Sequence, residues 1–411
     1  MTATVPEDSA RSVTIDDIRA ARVLLEGVIR DTPVQGSRPL SERVGGPVWL
    51  KCENLQRAGS FKIRGAYTRI AGLSAEESAL GVVAASAGNH AQGVALAASL
   101  RGLASTVFMP EGAPIPKVAA TRAYGAEVRF HGHSVDEALI AARAFAARTG
   151  AVLVHPFDHA DIVAGQGTVG LEILEQVPDV KTVVVCTGGG GLLAGIALAV
   201  KSVRPDVRVV GVQAETAAAF PASLLAGRPV PLAKMATMAD GIAVGCPGTV
   251  PFAVVRDLVD DIVVVSEESL SRALLLCLER HKLVVEPAGA AGVAALLDHP
   301  EAFEPPVVAV LSGGNIDPLL LMRVLRHGLA VAGRYLSLRV RISDRPGALV
   351  QLLSAVAAAD ASVLEVEHTR TDPRLTVEEV EVRLQLETRG EDHCAEVLSR
   401  LTSAGYSLDQ V

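Results

Sequence analysis

The sequence predicts an α/β protein with parallel β-sheets, followed by a smaller ferredoxin-like module. Short runs rich in β-branched residues, at 182–186, 207–212 and 307–311, are typical of parallel strands that are buried on both faces. Helical segments alternate with such strands over most of the chain, and this alternation favours parallel sheets. Near Gly333 the pattern changes to alternating polar and apolar residues, so we expect two domains, 1–332 and 335–411.

The individual elements follow from local signals. A helix is predicted over residues 14–30, because Thr14 can cap it and Asp16 and Asp17 suit its first turn. The pattern then predicts strands at 48–52, 81–85, 105–108 and 127–130, and helices at 88–100, 117–124 and 135–148. The last domain is predicted as strand 335–342, helix 348–359, two strands, a helix near 394–401 and a final strand, the β-α-β-β-α-β order of a ferredoxin-like module.

Composition argues against several classes of function. The net charge is −8 and no basic cluster is interleaved with aromatic residues, so we expect no nucleic-acid partner. The five cysteines lie far apart without a C-x-x-C pair, which indicates reduced thiols in a cytoplasmic protein rather than a zinc site. The most apolar window, at about 188–200, is too short to cross a bilayer, so we expect no membrane partner.

The residues that organise the first domain are those from Gly59 to Ala66, which follow the strand at 48–52. Lys62 lies here between two glycines, at the start of a helical segment with apolar neighbours. A lysine in such a place loses water around its ammonium group, which favours the neutral amine. A neutral amine can hold an aldehyde cofactor as a Schiff base. An ordinary surface lysine near a helix start is the alternative.

A second motif, from Ser86 to His90, connects a predicted strand to a predicted helix. The free N–H groups and the positive end of the helix dipole suit a carboxylate at this position. Asn89 adds an amide that can hydrogen-bond a phenolic oxygen. Since Ser and Asn are also good capping residues, a purely structural turn stays open.

A third motif is a run of four glycines, Gly188 to Gly191, again between a strand and a helix. Glycines let the backbone approach an anion closely, and their successive N–H groups can form a nest for phosphate. No lysine follows in the position of a nucleotide P-loop. Gly189, Gly191 and Ala194 also fit the pattern G-x-G-x-x-[GA], so a dinucleotide site is an alternative, although the next strand lacks a clear ribose-binding acid.

The fourth motif, Ser312 with Gly313 and Gly314, follows the last predicted strand of the first domain. It would present a neutral hydroxyl at the sheet edge where ligands bind in α/β proteins. Glu286 precedes a proline at a predicted helix start. A glutamate there can simply favour the start of the helix, so a structural role is the alternative to a role in a site.

Together, these four motifs resemble those of the pyridoxal-phosphate enzymes of the tryptophan-synthase β fold, in particular the threonine and serine dehydratases. The resemblance covers about residues 14–330 and keeps the order of the motifs. It implies a fold of two parallel-sheet lobes and pyridoxal 5′-phosphate as cofactor.

The resemblance also implies roles for individual residues. Lys62 is then the Schiff-base lysine and Ser312 the residue that faces the pyridine nitrogen, and these two are the expected catalytic residues. The other expected cofactor contacts are Phe61, Asn89, Gly188, Gly189, Gly190, Gly191, Leu192 and Glu286. The expected substrate-carboxylate contacts are Ser86, Ala87, Asn89 and His90.

The implied reaction is the β-elimination of water from threonine to give 2-oxobutanoate and ammonia, as in isoleucine biosynthesis. A serine dehydratase, a serine racemase and a 3-hydroxyaspartate dehydratase are alternatives of the same class. In racemase relatives a further serine of the turn is the second base, and this chain has Ala87 there. A dinucleotide-dependent oxidoreductase and a non-catalytic amino-acid sensor are the alternatives of other classes.

The second domain resembles an ACT domain, because Asp344 to Leu349 matches the first strand-to-helix turn of such domains. The resemblance implies that Asp344, Gly347 and Leu349 bind an amino-acid effector and that the protein is a homotetramer or homodimer. A purely structural pairing module is the alternative. No metal site is expected, because Pro221 stands where some relatives have the second acid that would accompany Glu215; a monovalent cation stays open.

Overall fold

A computed structural model describes residues 12–371 and 375–410, which form two compact units divided between Pro318 and Leu319. The sequence predicts a boundary near Gly333. The contacts within the chain divide it after Pro318, the first residue of the helix α14 (Pro318–Val331), and the domain bounds 1–332 and 335–411 stay a prediction. Among the described residues, no helix is both long enough and apolar enough to span a membrane.

The larger sheet of the first unit has six strands in the order β1-β2-β10-β7-β8-β9. All neighbouring pairs are parallel except the edge pair β1 and β2. The strands are β1 (Val34–Gly36), β2 (Val48–Lys51), β7 (Thr182–Cys186), β8 (Arg208–Ala214), β9 (Asp261–Val265) and β10 (Val307–Val310). This arrangement confirms the prediction that the β-branched runs form parallel strands.

The smaller sheet of the first unit has four parallel strands in the order β5-β4-β3-β6. Its strands are β3 (Val82–Ala85), β4 (Ser105–Met109), β5 (Glu127–Phe130) and β6 (Val152–Leu153). The first unit therefore has two parallel-sheet lobes, which we call the six-stranded lobe and the four-stranded lobe.

Helices cover both sheets of the first unit. They are α1 (Ile15–Leu24), α2 (Arg38–Val44), α3 (Lys62–Ala71), α4 (Ala75–Leu80), α5 (Asn89–Arg101), α6 (Ile115–Ala123), α7 (Val135–Thr149), α8 (Ala160–Gln176), α9 (Gly191–Val203), α10 (Ala219–Ala226), α11 (Thr249–Leu258), α12 (Glu267–Leu276) and α13 (Ala291–Asp298). Thr14 caps α1 as predicted. The predicted end of α1 at Arg30 is wrong: the helix stops at Leu24, and Gly27 then takes a left-handed conformation with φ of 72°.

The second unit has the predicted β-α-β-β-α-β order after α14. Its elements are β11 (Tyr335–Ser343), α15 (Ala348–Ala358), β12 (Ser362–Thr369), β13 (Glu379–Glu387), α16 (Glu391–Ser403) and β14 (Ser407–Gln410). The four strands form one antiparallel sheet in the order β12-β13-β11-β14. Alternate residues of β11 and β13, such as Leu338 and Val382, pack against Leu352 and Leu401 of the helices to form a separate core.

A buried ionic network fixes α3 to its neighbours in the first unit. Every N–H group of the Arg64 guanidinium donates a hydrogen bond, to both Glu53 oxygens at 2.8 Å, to both Glu172 oxygens and to the Thr168 hydroxyl. Lys51 at the end of β2 donates to the same Glu172. Arg64, Glu53 and Lys51 are fully buried, so two cations and two carboxylates compensate each other away from water. The network ties α3 to β2 and α8.

Replacement of Arg64 by methionine should destabilise the first unit, because it leaves the Glu53 and Glu172 carboxylates buried without the guanidinium. The expected loss in the free energy of unfolding is about 3–5 kcal/mol. Urea unfolding followed by the fluorescence of Trp49, the single tryptophan, which lies in β2, reports on this unit. Arg69→Met, on the same helix, is the control, since Arg69 makes only a 3.5 Å contact with Asp161. An equal loss in both variants would contradict the account.

Candidate active site

The four sequence motifs meet at the carboxyl ends of the parallel strands. The residue at the start of α3 is Lys62, the turn 86–90 follows β3, the glycine run follows β7, and Ser312 follows β10. Two backbone contacts join the first motif to the last: the Phe61 N–H donates to the Ser312 carbonyl at 3.1 Å, and Ser60 pairs with Gly313 as an isolated bridge. Residues far apart in the chain thus line one site, between the two lobes.

The Lys62 side chain is half-buried and its amine is partly desolvated. Its Nζ donates a hydrogen bond to the Pro156 carbonyl at 2.9 Å and lies 5.1 Å from the centre of the Phe61 ring. Burial lowers the pKa of Lys62 to about 8, against a smaller opposite influence of Cys186 and Glu286. A substantial fraction of the amine is therefore neutral near physiological pH, as a nucleophile requires.

The Asn89 side chain is fixed by two neighbours. Its Nδ2 donates to Glu286 Oε1 at 2.5 Å, and its Oδ1 accepts from Asn315 Nδ2 at 2.8 Å. Asn315 is anchored in turn by a bond to the Ala58 carbonyl at 2.7 Å. Because the Asn89 amide carries two N–H groups, one of them is left for a ligand oxygen.

The His90 imidazole points away from any carboxylate at the turn. It is buried in the first turn of α5, where its Nε2 lies 2.8 Å from the Val154 carbonyl. Burial lowers the pKa of His90 to about 3, so the ring is neutral and its Nε2–H donates to that carbonyl. Only the main-chain N–H of His90, at the N-terminus of α5, is suited to an anion. Ser86, whose Oγ accepts from the Gly88 N–H at 3.1 Å, and Ala87 lie partly exposed in the same turn.

The glycine run forms a tight loop from β7 into α9. Gly190 has φ of 96°, a left-handed conformation that side chains rarely adopt. At Gly189 a Cβ atom would lie 2.5 Å from the Phe157 ring, and at Gly188 it would lie 3.0 Å from the Ile242 backbone. Packing therefore explains part of the requirement for glycine. The first turn of α9, which includes Gly191 and the buried Leu192, presents N–H groups without intrahelical partners, as an anion site requires.

Neutral groups surround the place where β7 and β10 end. Ser312, which is buried, lies close to the thiol of Cys186, the last residue of β7. Burial raises the pKa of Cys186 to about 11, so this thiol stays protonated. Sequence reasoning missed Cys186 as a site residue; its position at the end of a predicted strand, directly before the glycine run, was the available signal.

Glu286 is a buried carboxyl group with an unusually high proton affinity. Burial, followed by the nearby Asp240, raises the pKa of Glu286 to about 7, although Lys117 and Asn89 oppose this shift. Its Oε2 atom is buried without a hydrogen-bond partner in the structure. Lys117 and Asp240, which sequence reasoning also missed, form an ion pair beside it.

These residues fit a cofactor that carries an aldehyde and a phosphate. A partly neutral amine is available to the aldehyde, and a glycine-rich helix N-terminus is available to the phosphate. Two buried oxygen atoms, Ser60 Oγ and Glu286 Oε2, lack hydrogen-bond partners in the structure and are close to the Ser312 loop. Fold and site together define a pyridoxal-phosphate-dependent enzyme of the tryptophan-synthase β-like fold.

Comparison with known proteins agrees with this class. A family model described as "Pyridoxal-phosphate dependent enzyme" matches residues 25–313, so the chain belongs to that family. The L-threonine ammonia-lyase of Thermotoga maritima is 47% identical over 396 residues, which are 96% of this chain and 99% of the relative. The L-threonine dehydratase named catabolic TdcB, from Escherichia coli K12, is 45% identical over 308 residues, 74% of this chain and 94% of the relative.

Solved structures give the same picture of the fold. Maize serine racemase superimposes with a TM-score of 0.73 and is 37% identical, covering 78% of this chain and 99% of its own. The threonine deaminase of T.th. has a TM-score of 0.71 and is 42% identical, covering 74% of this chain and 99% of its own. These likenesses favour a lyase or racemase over a dinucleotide-dependent oxidoreductase or a non-catalytic sensor.

The second unit contains a separate cavity of about 380 Å³ at its first strand-to-helix turn. Asp344, Gly347 and Leu349, the three expected effector residues, all line this cavity, together with His368 and Arg370. Arg370 forms an ion pair with Asp344 at 3.2 Å. A cationic and an anionic side chain, paired with each other, thus lie among the lining residues of a partly apolar pocket.

No metal centre is apparent in the described residues: they contain no group of three or more His, Cys, Asp or Glu side chains placed to hold an ion. Glu215 lies in a short turn after β8, and Pro221 lies within α10. The expectation of a site without a divalent ion stays a prediction, and so does the question of a monovalent cation.

Proposed function

We propose that the protein is a threonine ammonia-lyase, which converts L-threonine to 2-oxobutanoate and ammonia. The observation that carries this proposal is the partly neutral Lys62 amine, which lies near both the turn 86–90, expected to bind a carboxylate, and the glycine loop 188–191, expected to bind a phosphate. The name of the Thermotoga relative, which aligns with nearly the whole chain, supports threonine as the substrate. When bound, pyridoxal phosphate supplies an aldehyde for the substrate amine and a conjugated ring that accepts electrons from the Cα–H bond.

The residues of the site then have distinct tasks. The N–H groups at the start of α5, with Ser86, Ala87 and Asn89, hold the substrate carboxylate. Once the substrate amine has taken the place of Lys62 at the aldehyde, the freed neutral amine of Lys62 takes the proton from Cα, and the resulting ammonium returns a proton to the hydroxyl, which leaves Cβ as water. The enamine that results is hydrolysed by water, so that the nitrogen leaves as ammonia and the oxygen of water enters the 2-oxo acid.

Apart from Glu286, the remaining cofactor contacts are uncharged residues. Ser312 would offer a hydroxyl to the ring nitrogen of the cofactor. A hydroxyl would protonate this nitrogen less firmly than a carboxylic acid does, which would favour prompt elimination over transamination. Phe61, Asn89 and Glu286 flank the ring. Gly188, Gly189, Gly190, Gly191 and Leu192 hold the phosphate through their N–H groups.

Serine racemase is the second candidate function, because the maize enzyme of that name has the same fold. A racemase requires a second base on the face opposite Lys62, and the methyl group of Ala87 cannot accept a proton. We therefore place elimination first. A 3-hydroxyaspartate dehydratase and a serine dehydratase differ from the proposed enzyme only in the side chain of the substrate.

The purified, cofactor-loaded protein should release 2-oxobutanoate and equimolar ammonia from L-threonine, with a higher kcat/KM than for L-serine or 3-hydroxyaspartate. It should form little D-serine from L-serine, whereas Ala87→Ser should increase D-serine formation by adding a hydroxyl at the required position. Chiral chromatography and a 2-oxo acid assay measure both products. Wild-type D-serine formation as fast as pyruvate release would contradict the proposal.

We propose further that the second unit is an ACT domain that regulates the enzyme. The E. coli relative, named a threonine dehydratase, has no counterpart for about a quarter of this chain. This fraction is close to the fraction of the chain that belongs to the second unit. The catalytic residues all lie in the first unit, so the second is free to serve regulation. Isoleucine is the expected inhibitor, as the end product of the pathway in which 2-oxobutanoate is used, with valine as its antagonist. The assembly is a cytoplasmic homotetramer or homodimer.

Gly347→Asp should weaken the response to isoleucine, because it adds bulk and charge in the cavity of the second unit. The expected effect of isoleucine on the apparent affinity for threonine is about 5- to 150-fold in the wild type. Threonine saturation curves with and without isoleucine and valine measure it. Gly405→Asp is the control, since Gly405 has a similar φ of 91° and equally open surroundings but does not line the cavity. If both variants respond like the wild type, the effector binds elsewhere.

A further inference from the structure

An ion pair joins the two lobes of the first unit beside the candidate active site. Lys117 lies on α6, which packs on the four-stranded lobe, and Asp240 lies in the turn 240–242 between α10 and α11 of the six-stranded lobe. The Lys117 side chain is only 7% exposed, whereas that of Asp240 is 51% exposed. A lysine at this depth requires a counter-ion, and Asp240 supplies it from the opposite lobe.

The two ends of this ion pair touch different parts of the site. On one side, Lys117 Nζ lies 3.6 Å from the position that a Cβ atom of Gly88 would occupy, in the middle of the turn 86–90. On the other side, Gly241 lies against Glu286, whose Oε1 is 3.5 Å from the corresponding Cβ position, and Ile242 packs on Gly188 of the glycine loop. The pair therefore connects the turn to the two elements that face it.

We propose that Lys117 and Asp240 form a clasp that positions the turn 86–90 for the carboxylate of the substrate. They are positioning residues: Lys117 acts through Gly88 and its neighbours, and Asp240 acts through Lys117. The inference rests on the proposed function, because it assigns substrate binding to that turn. The inference adds that the Lys117–Asp240 ion pair must hold the two lobes together beside the turn.

A clasp of this kind affects binding more than chemistry. The carboxylate of threonine is unchanged during elimination, so the turn binds it about equally in the ground state and in the transition state. Loss of such uniform binding raises KM and leaves kcat nearly unchanged. Asp240 acts only through Lys117, and Lys117 holds the turn only while Asp240 fixes it. The two single variants and the double variant should therefore have equal effects on KM.

The experiment compares Lys117→Met, Asp240→Asn and the double variant with the wild type, all full length and loaded with cofactor. We expect KM for threonine to rise by about 10-fold or more in each, with kcat within about 3-fold and no additivity. Lys117→Arg keeps the charge and should recover most of the affinity. The dissociation constant of L-alanine, which has no leaving group at Cβ, should rise in parallel; the change in cofactor absorbance measures it.

Lys201→Met is the matched control. Lys201 pairs with Asp260 at 2.8 Å with similarly low exposure, 14% for its side chain, but both residues belong to the six-stranded lobe. Its KM should stay at the wild-type value. Amide hydrogen exchange of the peptide that spans residues 86–90, measured without substrate, should be faster in Lys117→Met and Asp240→Asn and unchanged in the control.

The outcomes separate the clasp from its alternatives. Unchanged KM and exchange in both clasp variants would overturn the proposal, as would an equal effect of Lys201→Met. A rise in KM for Lys117→Met alone, with Asp240→Asn like the wild type, would also overturn it, since Lys117 would then contact the substrate directly. If the wild type does not deaminate threonine, the proposed function fails, but the exchange measurement still tests whether the ion pair holds the turn.

Discussion

One constraint governs the first unit: a lysine amine must be partly desolvated where two parallel-sheet lobes meet. Burial lowers the pKa of Lys62 to about 8. The backbone around Lys62 places its amine at the carboxyl ends of the parallel strands. Behind the amine, Arg64 binds two buried carboxylates and fixes the helix that carries both residues. The reactive group is thus held by interactions that themselves do not face the substrate.

The surroundings of Lys62 share a second property, which is that most of them are uncharged. Ser312 and the Cys186 thiol are neutral, His90 is a neutral imidazole because burial disfavours its charged form, and Glu286 is partly protonated near neutral pH. A strong negative charge here would stabilise the ammonium form of Lys62 and oppose its action as a nucleophile and base. Burial of the individual groups therefore accounts both for their neutrality and for the low pKa of the lysine.

Sequence reasoning predicted what local patterns encode. Strand and helix order, the four motifs and the cap of α1 by Thr14 depend on residues close together in the chain, and the structure agrees with them. It could not predict the Lys117–Asp240 pair, whose partners are 123 residues apart, or the orientation of His90 towards Val154. Such contacts depend on tertiary packing and leave no periodic signal. For a related reason, the pattern of α14 predicts a helix but does not show which core it packs on.

The most direct test of the central claim is the pH dependence of covalent cofactor capture by Lys62. Cofactor-free protein is mixed with pyridoxal phosphate between about pH 6 and pH 10.5, reduced with borohydride and analysed by mass spectrometry, with Lys62→Ala as the control. A pKa of about 8 predicts that the capture rate rises to half its maximum near pH 8 and then levels off, with the adduct on Lys62 and none in the control. A rate that still increases towards the ordinary lysine pKa of about 10.4, or an adduct on another lysine, would contradict the account.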